Sequence, residues 1–260
     1  WQGDLTGSTN TDDVVVVNNN VVLQEGSVIP GSGFVDPIDL SGIVGTAMDA
    51  AGNWYARGNN DLIEDDWVVR NGVVVAAVGM PVLPGSTEVW DDTDFSDCFF
   101  AHTGNGAGDY LVVGVTSNPS THNGLIVLNG TQIVCRENDP VDIDNNGAFD
   151  DGLYFSTFGN DDFALTDSGC LYFTATVRNA AGTTVGQDFF KTLLAPCNGG
   201  PIETYGAGCI GSGPRIPRLQ GIGCATPGGP RTVAITEGLP SSTALLFNSV
   251  LELSAGGSKV

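Results

Sequence analysis

The stretch Trp67-Val68-Val69-Arg70-Asn71-Gly72-Val73-Val74-Val75 places two β-branched runs on either side of an Asn-Gly pair. Asn and Gly tolerate the positive φ of a two-residue turn, so the stretch predicts a tight β-hairpin. The pattern occurs twice more. Val14-Val15-Val16-Val17 and Val21-Val22-Leu23 flank Asn18-Asn19-Asn20, and Leu125-Ile126-Val127-Leu128 and Thr131-Gln132-Ile133-Val134 flank Asn129-Gly130.

A second element recurs in phase with the hairpin, a turn with Gly near its close that leads into an aromatic or aliphatic strand. Its copies are Asp49-Ala50-Ala51-Gly52-Asn53-Trp54-Tyr55, Asn105-Gly106-Ala107-Gly108-Asp109-Tyr110-Leu111 and Thr166-Asp167-Ser168-Gly169-Cys170-Leu171-Tyr172. The turn glycines stand 56 and 61 residues apart. Two features sharing one period mark tandem repeats of about four strands each, and Gln187 to Leu194 adds one more strand as a partial fourth copy. Three and a fraction units of this kind predict an all-β fold, a small β-propeller-like repeat domain over residues 1–195, with an open stack of sheets as the alternative.

Composition agrees with this class. Gly makes up 37 of 260 residues and no long Ala/Leu/Glu/Lys run occurs at helical spacing, so helix is expected to be nearly absent. At Ala195-Pro196-Cys197-Asn198-Gly199-Gly200-Pro201 the repeat stops, and Gly and Pro dominate to about Pro230. Strands are expected again at Thr232 to Thr236 and at Thr243 to Leu253. Residues 196–260 therefore read as a short, incomplete β-sandwich-like C-terminal domain, marginal alone because two or three strands bury little surface.

The chain carries 30 acidic and 9 basic residues, a net charge of −21. Such a charge repels phosphate backbones, which excludes nucleic acid as a partner, and favours cation binding. Four of the nine bases but only three of the thirty acids lie beyond Ala195, so the repeat domain is strongly anionic and the tail nearly neutral. No apolar run reaches the roughly 20 residues of a membrane-spanning helix. The start at Trp1 without a basic and apolar leader is expected for a mature, secreted chain. Cys98, Cys135, Cys170, Cys197, Cys209 and Cys224 form no C-x-x-C pair, which disfavours zinc and favours disulfides in an oxidising compartment. Cys209 with Cys224, closing a Gly/Pro-rich loop, is the expected local pair.

The Asp/Asn-x-x-Gly turns and the hairpin ends Glu25-Gly26-Ser27-Val28-Ile29-Pro30-Gly31 and Val78-Gly79-Met80-Pro81 resemble the tandem N-x-x-G-x-x-A-F repeats of bacterial surface proteins. The likeness spans roughly residues 14–195. Asn105 keeps the leading Asn, Asp49 is a near equivalent, and the Ala-Phe pair is not reproduced. The resemblance implies an exported, surface-attached protein. The tail, through Tyr205 to Pro214, Gly223 to Gly229 and Leu239 to Phe247, is similar to a C-terminal β-domain of secreted proteins from the same bacteria, which there continues for more strands.

One motif carries metal chemistry. Asp142-Ile143-Asp144-Asn145-Asn146-Gly147-Ala148-Phe149-Asp150-Asp151 sets oxygen-bearing side chains at loop positions 1, 3, 5 and 9 with Gly at 6, a pattern suited to a hard Ca²⁺ ion. Leu153 stands where an EF-hand has Glu, so a helical EF-hand is not expected. The loop resembles the D-x-D-x-[DN]-G-x-x-D calcium hairpins of integrin-α-type propellers. That resemblance assigns ligand roles to Asp142, Asp144, Asn146 and Asp150, with the Ala148 carbonyl as a further oxygen, and implies a structural Ca²⁺.

Other chemistry is sparse. His102 and His122 are the two histidines that could serve as physiological bases, and no Ser/His/Asp, G-x-S-x-G or Walker pattern surrounds them. No catalysis is expected, and a glycan hydrolase stands behind the other readings. Trp54, Trp67 and Trp90 are expected to fill spaces between sheets rather than to stack on sugars. Asn129-Gly130-Thr131 fits a glycosylation sequon and is also a hairpin turn. The expected role is a secreted structural subunit of the cell surface or extracellular matrix. It would self-associate head to tail into a fibre or sheath, with Arg215, Arg218 and Arg231 of the tail meeting an anionic repeat face. The alternative is a monomeric adhesin binding an extracellular glycan.

Overall fold

The computed structural model describes residues 1–60, 66–91, 97–144 and 149–194, together with the backbone of 218–222 and 232–236. The chain divides into two compact units, Trp1–Ala195 and Pro196–Val260. Every element described is a strand, and every pairing is antiparallel.

The first unit is a succession of four meanders. Sheet 1 contains β1 (Gln2–Asp4), β2 (Asp13–Val17) and β3 (Asn20–Gln24); sheet 2 contains β4 (Ile38–Met48), β5 (Trp54–Asn60), β6 (Trp67–Arg70) and β7 (Val73–Ala77). Sheet 3 contains β8 (Phe99–Gly104), β9 (Tyr110–Gly114), β10 (Leu125–Leu128) and β11 (Gln132–Arg136). Sheet 4 contains β12 (Leu153–Leu165), β13 (Cys170–Asn179) and β14 (Thr184–Leu193). In the second unit β15 (Arg218–Ile222) pairs with β16 (Thr232–Thr236). Thr243 to Leu253, expected as a strand, lies outside the described residues.

The three hairpins form where the sequence places them. Asn18 and Asn19, Asn71 and Gly72, and Asn129 and Gly130 all take positive φ, and a register shift follows within each hairpin. The Gly-closed turns share one hydrogen-bond pattern. Gly52 N donates to the Asp49 carbonyl, Gly108 N to the Asn105 carbonyl and Gly169 N to the Thr166 carbonyl. In each turn the leading side chain accepts from the backbone four residues on: Asp49 Oδ1 from Asn53 N (2.9 Å), Asn105 Oδ1 from Asp109 N (2.9 Å) and Thr166 Oγ1 from Cys170 N (3.0 Å). Asp, Asn and Thr are interchangeable here because each offers a short oxygen acceptor. A fourth copy, Asn179 to Thr183, joins β13 to β14 and was not singled out in the sequence.

Hairpin and turn are tied together within each central sheet. Asn71 Oδ1 accepts from Trp54 N (2.9 Å) while its Nδ2 donates to Asn53 Oδ1 (2.8 Å). Asn129 repeats this, accepting from Tyr110 N (2.8 Å) and donating to Asp109 Oδ1 (2.8 Å). The recurring hairpin Asn therefore both enters the left-handed region and clasps the neighbouring turn.

Three apolar cores lie between consecutive sheets. Val15 and Leu23 of sheet 1 meet Trp54, Trp67 and Val69 of sheet 2. Val68 and Ala76 on the opposite side of sheet 2 meet Phe99, Val112, Leu125 and Val127 of sheet 3. Leu111, Val113, Ile126 and Leu128 then face Phe155, Phe158, Leu171 and Phe173 of sheet 4. Alternating residues of a strand point to opposite faces, so a sheet with neighbours on both sides must be apolar throughout. Trp67, Val68 and Val69 are all buried, as are all four residues of β10. Among the described residues no core joins sheet 1 to sheet 4.

Trp67 is fully buried between sheets 1 and 2, and its Nε1 donates to Asn60 Oδ1 (3.1 Å). Trp67→Ala is expected to cost about 3–5 kcal/mol in denaturant unfolding, as large-to-small core substitutions do.

Candidate functional site

The loop between β11 and β12 is closed at its base by Val141 N donating to the Leu153 carbonyl (3.0 Å) and by a Pro140–Tyr154 bridge. Within it Asp142, Asp144 and Asp151 converge, each offering a carboxylate oxygen within 4.8 Å of the others. Asp151 shapes the loop as well: its Oδ2 accepts from Ile143 N (2.7 Å) and Asp144 N (3.4 Å). The set consists of carboxylate oxygens, the ligand type a hard divalent cation takes. Three carboxylates so close repel one another, and a bound cation would remove that repulsion.

Two of the expected ligands, Asp142 and Asp144, are thus brought together, and the third carboxylate is Asp151. Asp150, expected from the spacing, is exposed and outside this cluster. Asp151 is the residue whose carboxylate turns back onto Ile143 N and Asp144 N. Asn146 and Ala148 lie outside the described residues.

A second polar cluster sits between the long strands. Arg57 of β5 donates from Nη1 and Nη2 to Asp161 Oδ1 (2.6 Å) and Oδ2 (3.0 Å) of β12, and from Nη1 to the Phe100 carbonyl of β8. It ties sheets 2, 3 and 4 together. Beside it His102 is buried, and neither ring nitrogen has a hydrogen-bond partner. Burial, reinforced by the Arg57 charge and partly offset by Asp161, lowers its pKa to about 4. Arg70 makes the corresponding link near the turns. It lies over the rings of Tyr55 in sheet 2 and Tyr110 in sheet 3, and donates to the Gly108 carbonyl (3.1 Å).

His122 pairs through Nδ1 with Thr121 Oγ1 (2.7 Å) and through Nε2 with the Asn138 amide (3.0 Å). Neither histidine has a carboxylate partner among the described residues. Cys135 and Cys170 are free thiols, and burial drives the Cys135 pKa up to about 12. The disulfide expectation therefore does not hold for these two. Cys135 packs into the core between sheets 3 and 4, while Cys170 lies on β13 facing away from that core. Cys209 and Cys224 lie outside the described residues. Asn129, the sequon residue, has both ends of its amide engaged in the turn.

Comparison with known proteins returned no match to a family model, to a curated protein or to a solved structure. Among the described residues no helix is long and apolar enough to cross a membrane.

His102 sets a pH dependence. Its folded pKa is depressed, so its contribution is complete above the unfolded value of about 6.5 and is lost as pH falls toward 4. The shift corresponds to about 3 kcal/mol. His102→Leu is expected to flatten urea-unfolding stability between about pH 6.5 and 4; an unchanged pH slope would contradict this.

Proposed function

We propose that this chain is a secreted, non-catalytic structural component of a cell surface or extracellular matrix that self-associates head to tail. The observation that carries this reading is the sequential stack of sheets in which the first and last sheets keep an outward face. Phe189 on sheet 4 is 68% exposed and Val21 on sheet 1 is 50% exposed. Soluble monomers seldom leave large apolar groups on regular sheet faces without a partner. In this reading each meander is a blade of an open propeller.

Calcium has a structural role in this account. Asp142, Asp144 and Asp151 would hold the ion, and by binding only the folded loop it stabilises the domain by mass action. A second reading, a monomeric glycan-binding adhesin, is favoured by one feature. Thr121, His122, Asn138, Tyr154 and Arg178 line a polar groove of about 410 Å³, within the size range of small-ligand sites.

Two measurements test these readings. Sedimentation velocity at rising concentration, near physiological salt to screen the net charge of −21, is expected to show concentration-dependent assembly; a monomer at every concentration, with or without calcium, rejects self-association. Calcium is expected to raise the melting temperature and EDTA to lower it. Asp151→Asn should diminish that response more than Asp150→Asn; equal loss from both, or no response in the wild type, contradicts the assignment.

A further inference from the structure

The repeat allows each residue on the two end faces to be matched to its equivalents inside the stack. Aligned on the hairpins, Val21 of β3 corresponds to Val74 of β7 and Ile133 of β11. Val74 packs into the core that sheet 2 makes with sheet 1, and Ile133 into the core that sheet 3 makes with sheet 2. This position therefore faces the preceding sheet. Among the described residues no sheet precedes sheet 1, and Val21 is half exposed.

The opposite end follows the same rule. Aligned on the Gly-closed turns and the strand register, Phe189 of β14 corresponds to Val68 of β6 and Ile126 of β10. Val68 faces sheet 3 and Ile126 faces sheet 4, and both are fully buried. Phe189 occupies the position that faces the following sheet. Tyr172 lies beside it, stacked at 5.9 Å, and corresponds to the buried Tyr55 and Leu111. Lys191 stands where Arg70 stands in sheet 2. Arg70 lies between tyrosines of two successive sheets, whereas among the described residues Lys191 lies over one ring, Tyr172 of its own sheet.

The exposed face of sheet 4 is thus the forward half of an interface the chain builds three times within itself, and the exposed face of sheet 1 is the rear half. We propose that sheet 1 of a second copy stacks on sheet 4, through Val21, Val16 and Trp1 against Phe189 and Tyr172, so that the internal stack continues from one molecule to the next. This rests on the self-association reading and gives it an interface. The contact is heterologous, and a heterologous contact that does not close propagates as a filament.

The test uses two full-length variants and their mixture, each checked for native unfolding behaviour because both positions are exposed. Phe189→Lys spoils the forward face and Val21→Glu the rear face. Each alone is expected to sediment as a monomer at concentrations where the wild type assembles, with at least a tenfold weaker association. Mixed, they are expected to form a capped 1:1 dimer, since the Val21→Glu copy keeps an intact sheet 4 and the Phe189→Lys copy an intact sheet 1. Wild-type assembly that survives both substitutions overturns this interface while leaving self-association standing. Homodimers of the Val21→Glu variant with no mixed dimer overturn the head-to-tail arrangement in favour of a symmetric one. A wild type that never assembles removes both proposals.

Discussion

A four-stranded meander has two faces and no means of covering either by itself. The first unit meets this constraint by placing the sheets in series, so that each sheet's forward face covers the rear face of the next. Sheets 2 and 3 are consequently apolar on both sides, and β6 and β10 read as unbroken hydrophobic runs where a one-sided sheet would alternate. Sheet 4, with one neighbouring sheet among the described residues, alternates: Leu171, Phe173, Ala175 and Val177 are buried while the residues between them are not. The burial pattern along a strand thus records how many neighbours its sheet has.

Polar groups fix the order and register of that series. Asn71 and Asn129 bind hairpin to turn within a sheet, whereas Arg57, Arg70 and the Glu88–Arg136 pair reach beyond their own strands. Asn105 and Asp167 continue the linkage at the turns, Asn105 Nδ2 donating to the Thr166 carbonyl (3.0 Å) and Gly106 N to Asp167 Oδ1 (2.6 Å). Each buried donor that finds an acceptor avoids a desolvation cost of about 1–3 kcal/mol, and the directional bonds select one register among several that apolar packing alone would permit. Both His102 ring nitrogens and Arg57 Nε are buried without a hydrogen-bond partner, and burial beside the Arg57 charge disfavours the protonated imidazole.

Much of this was legible because turn chemistry is local. Asn-Gly pairs and Asp/Asn/Thr-x-x-Gly turns declare their backbone geometry through residues a few positions apart, so hairpins and period could be read directly. The β13–β14 turn at Asn179 to Thr183 carries the same signal, but it falls outside the 56- and 61-residue spacing. The partners of Arg57 were not legible, because Asp161 is 104 residues away and only the stacking of sheets brings the two together. The acidic loop was legible in composition, and two of its expected carboxylates, Asp142 and Asp144, converge. Spacing pointed to Asp150, while the closure of the loop by Val141 and Leu153 presents Asp151.

Native-state hydrogen exchange tests the serial stack most directly, since opening free energy depends on how many cores hold a sheet. Amides of β6 and β10, in sheets flanked on both sides, should exchange slowest, with β2 and β14 faster. Equal protection across all four sheets, or the strongest protection in sheet 1, would contradict a stack held by three successive cores.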